Sequence, residues 1–61
     1  MKIAATEVRT GDLILNNYGD GFRVLSIDPD GDRPTFHVVD PQGHYRIQKS
    51  DGINKMNVRR A

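Results

Sequence analysis

The sequence contains no cysteine and no tryptophan, and aromatic residues make up only 7% of its 61 positions. Without cysteine no disulfide can form, so packing and hydrogen bonds must hold the fold together. A chain this short buries only about 60% of the surface that its unfolded form exposes. These bounds predict one small domain over residues 1–61. They are compatible with a reducing compartment, and we expect a cytoplasmic protein.

Long apolar runs are missing as well. The first ten residues lack the apolar core of a signal peptide, and no stretch approaches the roughly 20 apolar residues that a membrane helix needs. We therefore expect no membrane partner. The chain begins with Met1 and finishes on a short basic end, and we expect it to be a complete small protein.

The formal net charge of +1 conceals an uneven distribution of charge. Residues 1–43 contain four basic and seven acidic side chains, a net charge of −3, whereas residues 44–61 contain five basic side chains and one acidic, a net charge of +4. A basic segment of this kind can mark a partner-binding face, or it can be balanced by the acidic segment across the fold. Both interpretations stay open.

Helical periodicity is nearly absent, because Gly or Pro interrupts every stretch that is long enough to form a helix. Short runs of alternating apolar and polar residues lie between strong turn residues instead. They predict five strands, at residues 13–18, 22–27, 35–40, 44–49 and 54–59. Residues 50–54 fit one 3₁₀ turn with Ile53 in the core. The pattern is typical of a small all-β barrel, an antiparallel meander with a 3₁₀ turn before the last strand.

Two similar tetrapeptides, DPDG at 28–31 and DPQG at 40–43, are predicted to form type I turns. In each, the aspartate accepts backbone N–H bonds, proline presets φ and glycine closes the turn. The first tetrapeptide also resembles the start of a calcium-binding loop. However, Arg33 stands where that loop needs glycine, and Val39 stands where it needs a bidentate glutamate. We interpret both tetrapeptides as hairpin corners.

The second corner predicts a strand register. A chain reversal around Pro41–Gln42 pairs Val38 with Tyr45 and Phe36 with Ile47, which places these four apolar residues in the core. A bulge at Gly43 would shift the pairing. The outer face of the last three predicted strands is then expected to gather His37, His44, Arg46, Gln48, Lys55 and Arg59.

The order of short strands and the single 3₁₀ turn resemble the Src-homology-three-like small barrel over nearly the whole chain. The segment VRTGDLILNNYGDGFRVLSID (8–28) is similar to the KOW-type motif of ribosomal and elongation proteins, in its V-x-x-G-D start and its glycine-bearing loop. KOW loops carry Lys or Arg beside the glycine, whereas NNYGDG carries an acid. The segment ATEVRTGD (5–12) resembles short stand-alone proteins of actinobacteria and their phages. The resemblance implies a five-stranded Src-homology-three-like barrel, a fold that serves many unrelated functions.

Catalytic and metal-binding patterns are weak in this sequence. There is no cysteine nucleophile, no G-x-S-x-G and no H-E-x-x-H, and Ser26 and Ser50 lack the pattern of a triad. His37 and His44, with Asp40 between them, are zinc-ligand types, but a neighbouring arginine opposes a cation. A barrel of this size also has little room for an enclosed pocket. We therefore expect no enzymatic activity, no cofactor and no metal.

Two binding hypotheses remain, and the first is protein binding through the loop NNYGDG. Open strand edges and aromatic loop residues are common protein-binding features. We expect a small phage or bacterial accessory protein whose partner is a host protein or a second copy of the chain. An alternative role for the loop tyrosine is to pack over the end of the barrel. The predicted partner-binding residues are Asn17, Tyr18, Asp20 and Phe22.

The second hypothesis is binding of RNA or DNA through the basic C-terminal strands, with cationic side chains on phosphates. A pI of about 8.2 is lower than expected of a dedicated nucleic-acid-binding protein, and the many acidic residues would repel a polyanion. We therefore favour protein binding. The residues predicted for this alternative are His37, His44, Arg46, Lys49, Lys55, Arg59 and Arg60.

Overall fold

Six β-strands form one antiparallel sheet in the protein, as seen in a computed structural model that describes residues 1–60. The strands are β1 (Lys2–Ile3), β2 (Leu13–Leu15), β3 (Gly21–Asp28), β4 (Thr35–Val39), β5 (Tyr45–Lys49) and β6 (Met56–Arg59). Their order across the sheet is β1-β6-β2-β3-β4-β5. Strands β2 to β5 follow one another as a meander, so the prediction of an all-β antiparallel fold is confirmed.

The prediction of a closed, five-stranded barrel is wrong. The sheet has six strands because Lys2–Ile3 pairs with β6, and it is not a closed barrel, since β1 and β5 lie at its two ends. A two-residue strand carries no alternation signal, which explains why the sequence pattern missed β1. The first predicted strand is also shorter than expected because residues 16–20 form a loop.

The 3₁₀ turn lies elsewhere than predicted. The turn of this type within residues 1–60 is Ala5–Glu7, whereas residues 52–54 form bends and Ile53 is 83% exposed. Asp51 Oδ1 accepts the N–H groups of Ile53 (2.8 Å) and Asn54 (2.9 Å), and this local turn directs Ile53 into solvent. Within the same residues, no helix is both long and apolar enough to cross a membrane.

The core is small and consists mostly of β-branched side chains from β2, β3, β4 and β6. Each apolar side chain of this kind contributes about 1.5–3 kcal/mol when it is fully buried. Strand β5 contributes none of the buried apolar residues, which shows that the core ends at β4 on that side of the sheet. The buried apolar residues are Ala5, Val8, Ile14, Val24, Phe36, Val38 and Val58.

The register between β4 and β5 differs by one residue from the predicted register. Val38 lies opposite Arg46, and His37 lies opposite Ile47. Tyr45 and Ile47 are consequently on the outer face, where they are 57% and 59% exposed, so their predicted core positions are wrong. Because Arg46 now shares the inner face with Val38, the single basic face expected on the last three strands is wrong as well.

The turn at residues 40–43 causes this shift. Asp40 pairs with His44, its N–H donating to the His44 carbonyl oxygen (2.9 Å), so the loop contains three residues rather than two. Gly43 completes the loop with a φ of +88°, a conformation that glycine adopts without strain. Asp40 Oδ1 accepts the N–H groups of Gln42 (3.0 Å) and His44 (2.8 Å). The prediction that Asp40 accepts backbone N–H bonds in this turn is confirmed. The geometry of the turn outweighs the apolar alternation that favoured the other register.

The other predicted corner lies two residues further along the chain. Arg33 N–H donates to the Asp30 carbonyl oxygen (2.9 Å), with Gly31 at φ +58°, so the turn spans residues 30–33. Asp28 remains in β3, where its carboxylate contacts His37. The prediction of a type I turn at 28–31 is therefore wrong, because this aspartate bonds across the sheet instead of within the turn.

Substitution of Gly43 tests this account of the register. A β-branched residue is strained at positive φ, whereas asparagine tolerates the left-handed region. We expect Gly43→Val to lower the free energy of unfolding by about 1–2 kcal/mol, and Gly43→Asn to lower it by less. Urea denaturation of both variants measures the difference, and equal stability of the two would contradict the proposed strain.

Candidate protein-binding site

The loop between β2 and β3, residues 16–20, is organised by the side chain of Asn16. Its Oδ1 accepts the N–H groups of Tyr18 and Asp20, both at 2.9 Å. The backbone N–H of Asn16 donates to the Asp20 carbonyl oxygen (3.1 Å), and Gly19, at φ +84°, donates to the carbonyl oxygen of Asn16 (3.1 Å). These bonds satisfy most of the backbone N–H groups of residues 16–20, which we call the Tyr18 loop, so the loop has a defined conformation.

Tyr18 projects from this loop with 91% of its surface exposed. It does not pack over the end of the sheet, so the alternative prediction, in which the tyrosine covers the end of the barrel, is wrong. An exposed aromatic side chain on an ordered loop costs little entropy to immobilise, which is why tyrosine is enriched at protein interfaces. Asn17 and Asp20 are also exposed, and Phe22 is partly buried.

A shallow cleft of about 480 Å³ lies between the Tyr18 loop and the β4–β5 turn. Phe22 contributes apolar surface, the fully buried Val38 lies beneath it, and Asp20 stands on the side of the Tyr18 loop. The β5 side is formed by Arg46, Ile47 and Gln48, and the turn contributes Asp40, Pro41 and Gln42. This end cleft therefore combines apolar surface with both signs of charge.

Asp40 connects the end cleft to the turn that sets the register. Its side chain is only 8% exposed, and Arg46 Nε donates to its Oδ2 (3.4 Å). The N–H of His44, with further donation from Gln42 and Arg46, holds the pKa of Asp40 below its ordinary value despite the opposing effect of burial. Asp40 is therefore ionised at neutral pH and holds one end of the Arg46 guanidinium. Arg46 itself is 63% exposed and offers a positioned cation to a ligand.

The outer face carries a chain of three polar side chains across β3, β4 and β5. Asp28 Oδ2 lies 2.7 Å from His37 Nε2, and the Tyr45 hydroxyl contacts His37 Nδ1. The rings of His37 and Tyr45 are stacked, with their centroids 5.9 Å apart. His37, predicted for nucleic-acid contact, therefore bonds within the sheet and orients Tyr45.

Another predicted nucleic-acid residue, Arg60, is also used internally. Its Nε donates to Asp12 Oδ1 (3.1 Å) and Oδ2 (3.2 Å), and its Nη2 donates to the Glu7 carbonyl oxygen (2.9 Å). Asp12 is almost fully buried. Burial raises the pKa of Asp12, but the N–H of Arg9 and the guanidinium of Arg60 outweigh it, so the pKa lies below its ordinary value. The ion pair joins the start of β2 to the end of β6.

The remaining predicted basic residues do not gather on one face. Arg59 is opposite Leu13 on β2, and His44 Nδ1 lies 3.5 Å from Asp40 Oδ2. Lys49 and Lys55 line one small hollow of about 180 Å³ with Asp51. The structure thus brings two of the predicted partner-binding residues, Asp20 and Phe22, into one cleft with Arg46, and it distributes the other cations over the surface.

Sequence reasoning missed two features of the site. Asn16 organises the loop, and its position two residues before Tyr18 is the spacing of an Asx turn, which was a usable signal. Gln48 lines the end cleft only because the β4–β5 register is shifted, so a pattern built on apolar alternation had no means of finding it.

Comparison with known proteins returned no match for this chain, whether to a protein-family model, to a curated protein or to a solved structure.

The ion pair of the buried Asp12 with Arg60 yields a pH-dependent prediction. A carboxylate with a lowered pKa contributes stability above its unfolded pKa, and this contribution is lost as the pH falls through the folded pKa. We expect Asp12→Asn to lower the free energy of unfolding at pH 7 by about 1–3 kcal/mol, and the difference from wild type to shrink in acid. Urea denaturation across the acid range measures it. Asp30→Asn, at an exposed position, is the matched control, and an equal effect of both substitutions would contradict the role of the pair.

Proposed function

We propose that this protein is a non-enzymatic binding module that acts through protein–protein interaction, with the Tyr18 loop and the end cleft as its contact surface. The observation that carries the proposal is Tyr18, which is almost entirely exposed on a loop whose backbone is held by Asn16. A loop that is already ordered loses little conformational entropy on binding, and its tyrosine supplies a large contact area.

The end cleft beside the loop supports the same function. Its apolar part, formed by the partly buried Phe22, suits an aliphatic or aromatic side chain, and Arg46 suits a carboxylate or a backbone carbonyl of a partner. Asp40 holds Arg46 through its Nε, so the cation is positioned before a ligand arrives. A partner segment with one apolar and one acidic residue fits this chemistry.

The resemblance to Src-homology-three-like and KOW-like proteins stays a proposal, supported by the antiparallel meander of β2 to β5 and by the V-x-x-G-D turn that begins β2. In that turn Gly11 has a φ of +92° and Asp12 Oδ2 accepts the N–H of Arg9 (2.9 Å). A role as a small accessory protein of a phage or bacterium rests on the likeness of residues 5–12 to such proteins.

Nucleic-acid binding is the second candidate, and it is supported by the proximity of Lys49 and Lys55 around one hollow. Two lysines this close can contact neighbouring phosphates. Arg60 is less suited to the role, because its guanidinium is bonded to the buried Asp12 and to the Glu7 carbonyl oxygen, and Arg46 lines the end cleft rather than this hollow. Protein binding is favoured for this reason.

Removal of the Tyr18 side chain tests the leading proposal. We expect Tyr18→Ala to fold normally, because the residue is exposed, and to reduce retention of a co-purifying protein by at least about tenfold, the effect of losing an interface hot spot. Affinity capture quantified against wild type, followed by NMR mapping with the purified partner, measures this. Ile53→Ala, which truncates another exposed loop residue, is the control. Equal retention by all three proteins would refute the role of Tyr18.

Titration of the labelled protein with duplex DNA, single-stranded DNA and structured RNA tests the second candidate. If nucleic acid is the ligand, amide shifts should cluster around Lys49 and Lys55, persist at physiological salt and disappear in Lys49→Glu and Lys55→Glu. Lys2→Glu is the charge-matched control. Shifts that vanish with modest salt, or that all three variants lose equally, would leave these lysines as a solvated surface.

A further inference from the structure

Strand β5 is an open edge of the sheet, since β4 is its neighbour on one side and it ends the strand order on the other. Natural proteins usually protect such an edge with proline, a bulge or several charges. The sequence of β5, Tyr45-Arg46-Ile47-Gln48-Lys49, contains no proline, and it pairs with β4 without a register shift; its two charged residues, Arg46 and Lys49, are not adjacent. The edge is therefore regular enough to accept another strand.

The hydrogen bonds at both ends of β5 show which of its backbone groups are unused by β4. Asp40 N–H donates to the His44 carbonyl oxygen (2.9 Å), and Ser50 N–H donates to the Pro34 carbonyl oxygen (3.2 Å). Bonded and non-bonded pairs alternate along an antiparallel ladder, so Arg46 and Gln48 also bond towards β4. The N–H and C=O groups of Tyr45, Ile47 and Lys49 consequently point to the open side.

These three residues are self-complementary about Ile47. If a second β5 pairs antiparallel with Ile47 opposite Ile47, then Tyr45 lies opposite Lys49 of the other copy, and Arg46 lies opposite Gln48. Each outward N–H then meets an outward C=O, and no two like charges face each other. The apolar pair lies at the centre, and a lysine lies beside an aromatic ring on each side.

The neighbouring registers are worse. A two-fold axis at Arg46 would place two guanidinium groups directly opposite each other, which is destabilising. An axis at Gln48 would place each Ile47 opposite a lysine of the other copy and leave the apolar side chains unmatched. The side chains of β5 therefore select the axis at Ile47.

The outer face gives the edge its apolar surface. Tyr45 and Ile47 are more than half exposed on this face, and the contact with His37 fixes the orientation of the Tyr45 ring before any partner binds. The shifted β4–β5 register exposes both side chains at the edge, where pairing with a second copy would cover them.

We propose that two copies of this chain associate through their β5 edges, paired antiparallel about a two-fold axis at Ile47, so that the two sheets continue into one. This interaction goes beyond the proposed function, because it needs neither Tyr18 nor another protein. A five-residue edge buries less area than a standard interface of roughly 800 Å² per partner, so the dimer is expected to be weak and concentration-dependent.

Sedimentation equilibrium over a range of protein concentrations tests the proposal. The average mass of wild type should rise from the monomer value of 6.9 kDa towards about twice that value. Ile47→Lys, which brings two ammonium groups together at the axis, should remain at the monomer mass. Leu25→Lys adds the same charge on exposed surface of β3, two strands in from the edge, and should still dimerise. Tyr18→Ala should also dimerise.

Hydrogen exchange of wild type provides a measurement that needs no variant. The amides of Tyr45, Ile47 and Lys49 should exchange fast in dilute protein and become protected as the concentration rises, whereas Arg46 and Gln48 should be protected throughout. A wild type that stays monomeric, a dimer that survives Ile47→Lys, or a dimer lost in Leu25→Lys would overturn the edge pairing. A dimer lost in Tyr18→Ala would also overturn the edge pairing, and it would assign self-association to the Tyr18 loop. A monomeric wild type would not affect the proposed function, because affinity capture tests Tyr18 against another protein.

Discussion

The carboxylate of Asp40 is the group on which the arrangement of the surface depends. It accepts two backbone N–H bonds within the β4–β5 turn and so stabilises a loop of three residues, which Gly43 completes at positive φ. This loop sets the β4–β5 register, and because side chains alternate along a strand, the register decides which residues of β5 face inward. The same carboxylate holds Arg46 in the end cleft. One turn residue thus determines both the composition of the cleft and the exposure of Tyr45 and Ile47.

The sheet stays open, and this has consequences for stability and for binding. The core consists of a few side chains from four strands, and β5 adds none of the buried apolar residues. In place of disulfides, the Asp12–Arg60 ion pair and the pairing of β1 with β6 connect the two ends of the chain. An edge strand that contributes little to the core is free to carry residues selected for contact rather than for packing.

Several charged residues that resemble a ligand site are used within the fold. Asp28 binds His37, Asp12 binds Arg60, and Asp40 binds Arg46. In a protein of this size each such pair joins strands that apolar packing alone holds weakly. By contrast, the Tyr18 side chain is directed into solvent by a loop that satisfies its own backbone, which is why the binding proposal rests on that residue and not on the basic C-terminal segment.

The sequence by itself determined the all-β class, the antiparallel order of β2 to β5 and the position of the turn at Asp40, because these depend on alternation and on local turn chemistry. It left open whether Tyr18 packs over the end of the sheet or points into solvent. It did not determine the β4–β5 register, since apolar alternation and turn geometry favoured different pairings and the turn prevailed. The two-residue strand β1, the position of the 3₁₀ turn and the partners of Asp12 and Asp28 also required the tertiary structure. These features depend on contacts between residues that are distant in sequence. A local sequence pattern carries no information about such contacts.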